Sequence, residues 1–478
     1  MQAKRSVGVL VPIFSLPGGY SVGSFGRSAY RLVDALAEGG FRVWQTLPFA
    51  VPDRFHSPYA SLSSFSLNPS FIDLEMLAEE GFLTVKELEG AREHTAIACE
   101  YERLAAERRL LLARVAARAR DSIPWESFLW GHPCIAEYCR FEALKAANDG
   151  APWWEFECQT PSDEVYEEYG ILSYLFFDQW QRLHRYAGER GISIIGDLPI
   201  YVSRDSADVY FHPEYFLLAP DGTPRAVAGV PPDYFSSDGQ LWGNPLYHWD
   251  KMSKDGFSFW RARLGHMLTL FDGVRLDHFR GFDTYFEIPF GAPNAREGVW
   301  RKGPREGLID ALRDVAGNAL LIAENLGEMA DSVDDLLTYS GFPGMRVLSF
   351  GFDGDSGGHL PHEYPENAVA YSGTHDNDTL MGFLHTRSPE QARAVRAYAG
   401  VVDGEDKQVC LSLIEAMYAS AAELVIFPLQ DLLFLGSEAR INTPGRAEDN
   451  WRFRFTETQM SSLDTAHFRR LAERYGRI

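Results

Sequence analysis

The sequence is short of positive charge. Its 478 residues include 45 Lys and Arg against 67 Asp and Glu, which gives a formal net charge of −22 at pH 7. Binding to nucleic acid or to an anionic membrane depends on clusters of Lys and Arg that displace counterions from phosphates. The chain offers no such cluster, so we expect neither partner. The expected ligand is neutral or cationic.

Cysteine is also scarce, and its spacing is irregular. The five residues are Cys99, Cys134, Cys139, Cys158 and Cys410, and no two of them form a Cys-x-x-Cys pair. Zinc and redox motifs built on such pairs are therefore absent. Cys134 and Cys139 could form a disulfide, but reduced thiols in a cytoplasmic protein are the favoured interpretation.

Three further absences narrow the class of protein. No apolar stretch approaches the roughly 20 residues that a membrane span needs, and the amino-terminal segment does not resemble a signal peptide. Neither a Walker A nor a GxGxxG pattern occurs. His359 and His362 lie close together without a third ligand nearby, so a metal site there is not favoured. We expect a cytoplasmic protein that uses no metal and no cofactor.

What the chain does contain is a repeated pattern of short apolar runs rich in β-branched residues. Most are followed by a polar or glycine-rich turn and then by a helical pattern. Such runs are typical of parallel strands covered on both faces. Their alternation with helices predicts an α/β fold, a single (β/α)8 TIM barrel over residues 1–478. The eight predicted strands are 7–13, 41–47, 193–198, 272–277, 319–324, 345–350, 368–374 and 423–428.

The spacing of these runs predicts inserted subdomains in the loops after strands 2 and 3. Residues from about 50 to about 190 are far more than one crossover needs, and their Glu, Arg, Ala and Leu content predicts a mainly helical subdomain. Residues from about 201 to about 260 are rich in Pro, Gly, Tyr, Phe and Trp and lack clear periodicity. Long irregular loops in compact domains are usually functional, so we interpret this segment as an aromatic lid or binding loop.

The stretch from Gly273 to Phe282, GVRLDHFRGF, reads as a short buried strand that ends in a carboxylate. Side chains alternate along a strand, so Arg275 and Asp277 point the same way, and the arginine helps to keep the aspartate ionised. A carboxylate that attacks carbon needs that charge. Taken alone, the segment is explained equally well by a structural Arg–Asp ion pair.

Two more predicted strands end in acids, at Glu324 and at Asp376 in YSGTHDND. The carboxyl ends of TIM barrel strands meet at the active-site mouth. Carboxylates that converge there suit glycosidic bond chemistry, in which one attacks the anomeric carbon and another protonates the leaving oxygen. Structural alternatives exist, since Glu324 could cap a helix, Asp376 could form an Asx turn and His375 could be a structural histidine. Acids at three matching strand ends favour the joint catalytic interpretation.

The motifs GVRLDHFRGF, IAENLGE and YSGTHDND resemble those of glycoside hydrolase family 77, the 4-α-glucanotransferases also called amylomaltases or disproportionating enzymes. Further matches follow in the same order along nearly the whole chain: HSPY, GDLPIYV, AGVPPDYF, QLWGNP, NTPG and NWR. The combination is highly specific, although each short piece alone is weak. The resemblance implies a TIM barrel glycosyltransferase of starch, glycogen or maltose metabolism.

The resemblance also implies a role for each matched side chain. Asp277 would be the nucleophile of a retaining double displacement, Glu324 the general acid and then base, and Asp376 the transition-state stabiliser. The side chains expected to bind substrate are Ser57, Tyr59, Asp197, Trp242, Arg275, His375 and Asn442. The chemistry requires a resting enzyme in which the pKa of Glu324 is raised and Asp277 is ionised beside Arg275.

The expected reaction cleaves an α-1,4 bond in a donor glucan and transfers the glycosyl unit to the 4-hydroxyl of an acceptor. Maltooligosaccharides, amylose and, as acceptor, glucose are the expected partners. A retaining α-glucan hydrolase with the same residues is the alternative, and a non-catalytic glucan-binding protein is a weaker one. Two positions depart from the family pattern: Asn325, where an aspartate is usual, predicts a changed pH optimum, and Ser24, where an acid is frequent, predicts a changed acceptor contact.

Overall fold

The computed structural model describes residues 5–232, 237–327, 330–354, 356–446 and 448–478. The end of the AGVPPDYF motif and the last residue of IAENLGE lie outside these ranges. The strands are β1 Ser6–Leu10, β2 Val43–Gln45, β3 Ser193–Leu198, β4 Ala226–Val230, β5 Gln240–Pro245, β6 Gly273–Leu276, β7 Thr284–Pro289, β8 Val299–Lys302, β9 Leu320–Ala323, β10 Gly344–Val347, β11 Ala368–Tyr371 and β12 Leu424–Pro428.

Eight of these strands close into a parallel barrel in the order β1-β12-β11-β10-β9-β6-β3-β2. Each predicted apolar run overlaps one of them, so the predicted (β/α)8 barrel is confirmed. The strands are almost wholly buried because side chains inside the barrel and helices outside it cover both faces. The apolar residues that pack together in the interior are Leu10, Val43, Ile195, Ile322, Met345, Val347, Val369, Tyr371, Leu424 and Ile426.

Helices surround the barrel and pack on its outer face through a second, larger apolar core. Their bounds are α1 Arg27–Glu38, α2 Leu74–Glu79, α3 Val85–Gly90, α4 Tyr101–Arg103, α5 Arg109–Ala119, α6 Trp125–Gly131, α7 Pro133–Ala147, α8 Asp163–Glu189, α9 Ala207–Phe211, α10 Trp249–Lys254, α11 Ser258–Leu270, α12 Arg280–Asp283, α13 Glu306–Ala316, α14 Asp331–Ser340, α15 Leu380–Thr386, α16 Pro389–Tyr398, α17 Asp406–Ala419, α18 Leu429–Leu432, α19 Glu457–Ser461 and α20 Thr465–Arg474. A π-helical turn, Leu104–Arg108, joins α4 to α5.

Between β2 and β3 the chain carries helices α2 to α8. The longest is α8, whose amino terminus is capped by the Ser162 side chain accepting a hydrogen bond from the amide of Val165. It packs along α7, and both helices bury apolar side chains in the large outer core. The division of the chain into a barrel and a separate helical subdomain stays a prediction.

A second sheet lies outside the barrel, with the antiparallel order β5-β4-β7-β8. The segment from about 201 to about 260, which lacks clear sequence periodicity, supplies β4 and β5. The other two strands come from the chain after β6, which the sequence did not single out. Below, this four-stranded unit is called the lid sheet.

Two general features complete the fold. In the part of the chain that the structure describes, no helix is both long and apolar enough to cross a membrane. All five cysteines are unpaired thiols, and Cys99, Cys139 and Cys410 are buried.

Candidate active site

The floor of the site follows from strand register. Asp197 on β3 pairs with Arg275 on β6, and Arg275 pairs in turn with Ile322 on β9. Because side chains alternate along each strand, Asp197 and Arg275 point into the barrel above the apolar interior formed by Ile195, Ile322 and their neighbours. Both side chains are almost completely buried. The carboxyl end of the barrel thus carries a buried charge layer.

Arg275 holds three carboxylates with one guanidinium. Its Nη1 donates to both carboxylate oxygens of Asp197 at 2.7 Å and to Oδ1 of Asp277 at 3.3 Å. Its Nη2 lies 2.9 Å from Oε2 of Glu324. The planar, multidentate guanidinium suits this arrangement, because a lysine ammonium could not present fixed donors in two directions. Two predicted catalytic acids are therefore held by the same side chain.

The turn after Asp277 aims a backbone donor at Glu324. His278 has a positive φ of 46°, an uncommon conformation for a residue with a side chain. In this conformation its amide donates to Oε2 of Glu324 at 2.6 Å, and the next amide, of Phe279, donates to the Glu324 carbonyl at 3.0 Å. Strained backbone of this kind is frequent where a site must be held in one geometry. Burial lowers the pKa of His278 to about 4, so its ring is neutral near pH 7.

The pKa shifts of the two acids run in the directions opposite to the expected ones. Burial, followed by the charge of adjacent Glu324, raises the pKa of Asp277 well above its usual range. Burial also acts on Glu324, but Arg275 and the His278 amide outweigh it and lower the pKa of that carboxyl. These directions are opposite to those that the expected roles need, and a protonated Glu324 beside an ionised Asp277 stays a prediction. Arg275 stands closer to Glu324, at 2.9 Å, than to Asp277, at 3.3 Å.

Asp376 lies across the mouth in a hydrogen-bonded group of its own. Its Oδ1 accepts from the Asn442 side chain at 2.6 Å and lies 3.3 Å from Nε2 of His375. The His375 ring stacks on Tyr59 with a centroid separation of 5.1 Å. The Tyr59 hydroxyl donates to Oδ2 of Asp197 at 2.8 Å, which connects this group to the charge layer below.

These groups line one cleft of about 540 Å³ at the carboxyl end of the barrel. Asp277, Asp376, His375, Tyr59, Ser57, Asn442 and Trp242 all contribute to its wall. Trp242, on β5, is 37% exposed, and its ring lies 5.0 Å from the ring of His278, so the lid sheet reaches the turn that holds Glu324. Arg275 and Asp197 are buried beneath this wall, whereas the Glu324 side chain is 20% exposed.

Several lining residues were not singled out as site residues from the sequence. Trp451 packs near both Tyr59 and His375, and its NWR motif was the signal that could have identified it. Asp53, Asn244 and Arg446 also line the cleft. Asn244 belongs to the QLWGNP motif on β5, which was the signal that could have identified it, whereas Asp53 and Arg446 lie in loops outside the quoted motifs.

Comparison with known proteins agrees with this geometry. The model of glycoside hydrolase family 77, described as 4-alpha-glucanotransferase, matches residues 11–460. The chain belongs to the 4-alpha-glucanotransferase family. Among its relatives, the 4-alpha-glucanotransferase of Thermus thermophilus is 40% identical, with 100% of each chain covered. That of Synechocystis is 39% identical over 100% of this chain and 99% of the relative.

Solved structures place the fold in the same 4-alpha-glucanotransferase family. The amylomaltase from Streptococcus agalactiae, solved in complex with acarbose, superposes with a TM-score of 0.95 at 33% identity and covers 99% of this chain and 100% of its own. The amylomaltase from Corynebacterium glutamicum, at 20% identity, has a TM-score of 0.79 over 99% of this chain and 75% of that one, which supports the fold alone.

Two positions at which this 4-alpha-glucanotransferase departs from the expected pattern have structural roles. Asn325 is buried, and its side-chain oxygen accepts from the Met345 amide at 2.7 Å, so it ties β9 to β10. Ser24 is buried away from the cleft and donates to Oδ2 of Asp73 at 2.6 Å. Ser24 lines no part of this cleft, and a changed acceptor contact at this position stays a prediction. Among the described residues, no group of three His, Cys, Asp or Glu side chains could hold a metal ion.

Proposed function

We propose that this protein is a retaining 4-α-glucanotransferase, in which Asp277 is the nucleophile, Glu324 the general acid and base, and Asp376 the transition-state stabiliser. The observation that carries the proposal is the shared guanidinium of Arg275, which holds the carboxyls of Asp277 and Glu324 side by side. Retaining glycosidases place their two carboxyls about 5 Å apart, whereas inverting enzymes need a wider gap for water. Directly interacting carboxyls fit the retaining arrangement.

The first half of the reaction starts from the proton shared by this pair. In this proposal the proton resides on Asp277 before a glucan binds, because burial and the charge of Glu324 raise the pKa of Asp277. When a glucan enters, the proton passes through the contact between the carboxyls to Glu324, which delivers it to the glycosidic oxygen. Asp277 then attacks the anomeric carbon, the bond from that carbon to the glycosidic oxygen breaks, and the reducing-end fragment leaves with the proton. A glycosyl ester on Asp277 remains.

The second half restores the enzyme. Glu324, now ionised and held by Arg275 and the His278 amide, accepts the proton from the 4-hydroxyl of an acceptor sugar. The acceptor oxygen attacks the anomeric carbon and displaces Asp277. Two inversions give net retention of the α configuration.

The Asp376 group stabilises charge that develops on the sugar. Asn442 and His375 hold its carboxylate in place, so it needs little reorganisation when the sugar ring becomes cationic. Tyr59, stacked on His375 and bonded to Asp197, provides an aromatic wall for the same ring. Ser57 and Trp242 line the cleft where further hydroxyls and ring faces would lie.

We also propose neutral α-1,4-glucans as donor and acceptor, including maltooligosaccharides, amylose and, as acceptor, glucose. The strongly acidic chain and the aromatic side chains of the cleft support neutral sugars over anionic ones. The five unpaired cysteines support a reducing compartment such as the cytoplasm.

The test is incubation of the pure protein with maltotriose, followed by chromatography of the products. Transfer yields glucose together with a ladder of longer maltooligosaccharides. A rise in reducing ends without longer products would support the hydrolase alternative. An unchanged sugar profile would overturn the proposal.

A further inference from the structure

Beside the catalytic cleft, three side chains form a compact surface patch, here called the rim platform: Trp154, Arg204 and Phe290. The Arg204 guanidinium carbon lies 3.8 Å from the centroid of the Trp154 ring and 5.4 Å from that of Phe290. Trp154 is 37% exposed and Phe290 is 45% exposed. Large aromatic faces in solvent beside a cleft are unusual enough to require an explanation.

The rim platform continues the wall of the catalytic cleft. Arg204 lines that cleft together with its neighbour Ser203. The turn that carries them is fixed to the lid sheet, because the Asn244 side chain donates to the Val202 carbonyl at 2.9 Å. Phe290 directly follows β7, another strand of the lid sheet.

The connection of the rim platform to the lid sheet indicates which side of the cleft it serves. The lid sheet approaches the catalytic acids through Trp242, which lies against His278, and the His278 amide is bonded to Glu324. In the proposed reaction Glu324 protonates the leaving fragment and later accepts the acceptor proton. The platform is joined to the same sheet through Asn244 and Phe290, and that connection is the reason for assigning it to the side of the leaving fragment and the acceptor.

The platform is built on a fixed base. The Trp153 ring nitrogen donates to the Arg204 carbonyl at 2.6 Å, and its backbone amide donates to Asp205 at 3.2 Å. Asp205 is held in turn by Lys145 at 2.6 Å. The Trp153 ring packs so closely on Gly222 that a Cβ at that position would lie 2.5 Å from it. Trp154 is consequently presented by a rigid turn, which reduces the entropy lost on binding.

Arg204 itself is available to a ligand. Within the described part of the chain, its guanidinium makes no ion pair and no hydrogen bond, although the protein carries a net charge of −22. The two nearest acids are engaged elsewhere, since Asp205 bonds to Lys145 and Asp221 accepts from the amide of Thr223 at 3.0 Å. A guanidinium can donate five hydrogen bonds, so donors remain at the edge of the cleft.

We propose that the rim platform is a distal acceptor subsite, at which Trp154 and Phe290 bind the sugar faces of a long α-glucan and Arg204 donates to its hydroxyls. The inference rests on the proposed transferase function. Aromatic faces pack against the apolar faces of sugar rings, and a free guanidinium next to them supplies the polar contacts that fix orientation. Trp154 and Phe290 lie outside the wall of the cleft, so a subsite there selects for acceptor length.

The experiment measures transfer from one donor to acceptors of increasing length, from glucose to maltoheptaose, for wild type, Trp154→Ala, Phe290→Ala and Arg204→Ala. The ratio of acceptor efficiency for long chains to that for glucose should fall roughly 3- to 10-fold in Trp154→Ala, mainly through KM. Trp154→Phe should restore much of the ratio because it keeps an aromatic face. Trp130→Ala is the matched control, since Trp130 is 90% exposed but lines no part of the cleft.

An unchanged length ratio in both aromatic variants, with their thermal melts equal to that of wild type, would overturn the subsite. Failure of the transferase proposal has a different signature, namely a wild-type protein that makes no transfer products at all. In that case calorimetric titration of Asp277→Asn with maltoheptaose still tests the platform. Adding Trp154→Ala to that variant should weaken binding, and equal affinities would exclude the site.

Discussion

The two ends of the barrel each bury an arginine, and they use it in different ways. At the carboxyl end, Arg275 is surrounded by carboxylates of Asp197, Asp277 and Glu324. At the amino end, Arg477 is completely buried and donates only to main-chain carbonyls and one hydroxyl. Those carbonyls belong to Ser6, Met417, Tyr418, Ser420, Ala422 and Glu423.

The surroundings of Arg275 and Arg477 shift the pKa values of the two guanidinium groups in opposite directions. Burial alone disfavours a guanidinium charge, but the carboxylates around Arg275 outweigh it and raise the pKa of that group. Arg477 forms no ion pair among the described residues, and burial lowers its pKa. The carbonyls that accept from Arg477 lie at the end of α17 and at the starts of β12 and β1. The dipole of α17 also favours a positive charge at the carboxyl end of the helix. One arginine organises reactive acids, and the other joins backbone segments.

The comparison teaches that a buried charge does not by itself mark a functional site. The two buried arginines differ in whether the groups that they bind can still react with a ligand. Arg275 holds the carboxylates of Asp277 and Glu324, which remain partly exposed, whereas the partners of Arg477 among the described residues are main-chain carbonyls and one hydroxyl inside the fold. This agrees with the general division of TIM barrels into a reactive carboxyl end and a stabilising amino end.

The largest effect is expected at the reactive end, for Asp277→Asn. Loss of the nucleophile should reduce turnover roughly 10⁴-fold. Stability should change little, because the raised pKa of Asp277 favours its neutral form and the amide replaces one neutral group by another of similar size. Glucose release from maltotriose and a thermal melt measure the two quantities. A loss of activity that merely follows a loss of folded protein would mean that Asp277 is structural and that the contrast between the two ends is wrong.

The next effect is expected at the stabilising end, for Arg477→Met. Several buried carbonyls lose their donor, which should lower the free energy of unfolding by roughly 3–5 kcal/mol. Turnover per folded molecule should be unchanged, because the site lies at the opposite end. Urea unfolding and active-site titration check both parts. Arg477→Lys, whose ammonium has fewer donors than a guanidinium, should give an intermediate loss of stability. A fall in the turnover of Arg477→Met at constant stability would contradict the structural role of Arg477.

A third prediction concerns Asp431, a buried acid near the carboxyl end without an arginine. Among the described residues it accepts from the Leu380 amide and the Ser372 hydroxyl alone, and burial raises its pKa from the ordinary value of 3.8 to about 6. A raised pKa in the folded state means stability that is fully present below pH 3.8 and is lost as the pH rises through 6. The loss amounts to roughly 3 kcal/mol.

Asp431→Asn should remove this pH dependence. At pH 7 the variant should be more stable than wild type by up to roughly 3 kcal/mol, with the difference shrinking toward pH 4. Urea midpoints of both proteins across that range give the comparison, in which the other titrating groups cancel. A stability difference that is constant with pH would show that Asp431 ionises as an ordinary carboxyl does.

The smallest effect is expected for Asn442→Ala, which frees the Asp376 carboxylate. Loss of one positioning hydrogen bond should lower kcat roughly tenfold with little change in KM. Asn442→Asp should be worse, because it places a second negative charge 2.6 Å from Asp376. Asn367→Ala is the control, since that side chain only donates to the Gly341 carbonyl outside the cleft. Equal kcat in the alanine variant of Asn442 and in wild type would remove Asn442 from the site.

Part of this structure was predictable from the sequence. Strands such as 193–198 and 423–428 can be recognised in the sequence because burial on both faces requires a nearly continuous apolar run. The positions of Asp277, Glu324 and Asp376 follow from the same pattern, since acids at the ends of parallel barrel strands must meet. The lid sheet was not predictable, because β4 and β5 are interrupted by glycines and β8 is wholly exposed, which removes any apolar alternation.

The sequence by itself determined the barrel, its order of strands along the chain and the three acids at its mouth, because each depends on local periodicity and on a fixed rule of topology. Only the tertiary structure decided how Arg275 is shared between the acids, because it places the guanidinium 2.9 Å from Glu324 and 3.3 Å from Asp277. It also decided that Trp154, Arg204 and Phe290 meet at one edge of the cleft. These residues are far apart along the chain, and nothing local in the sequence encodes their distance.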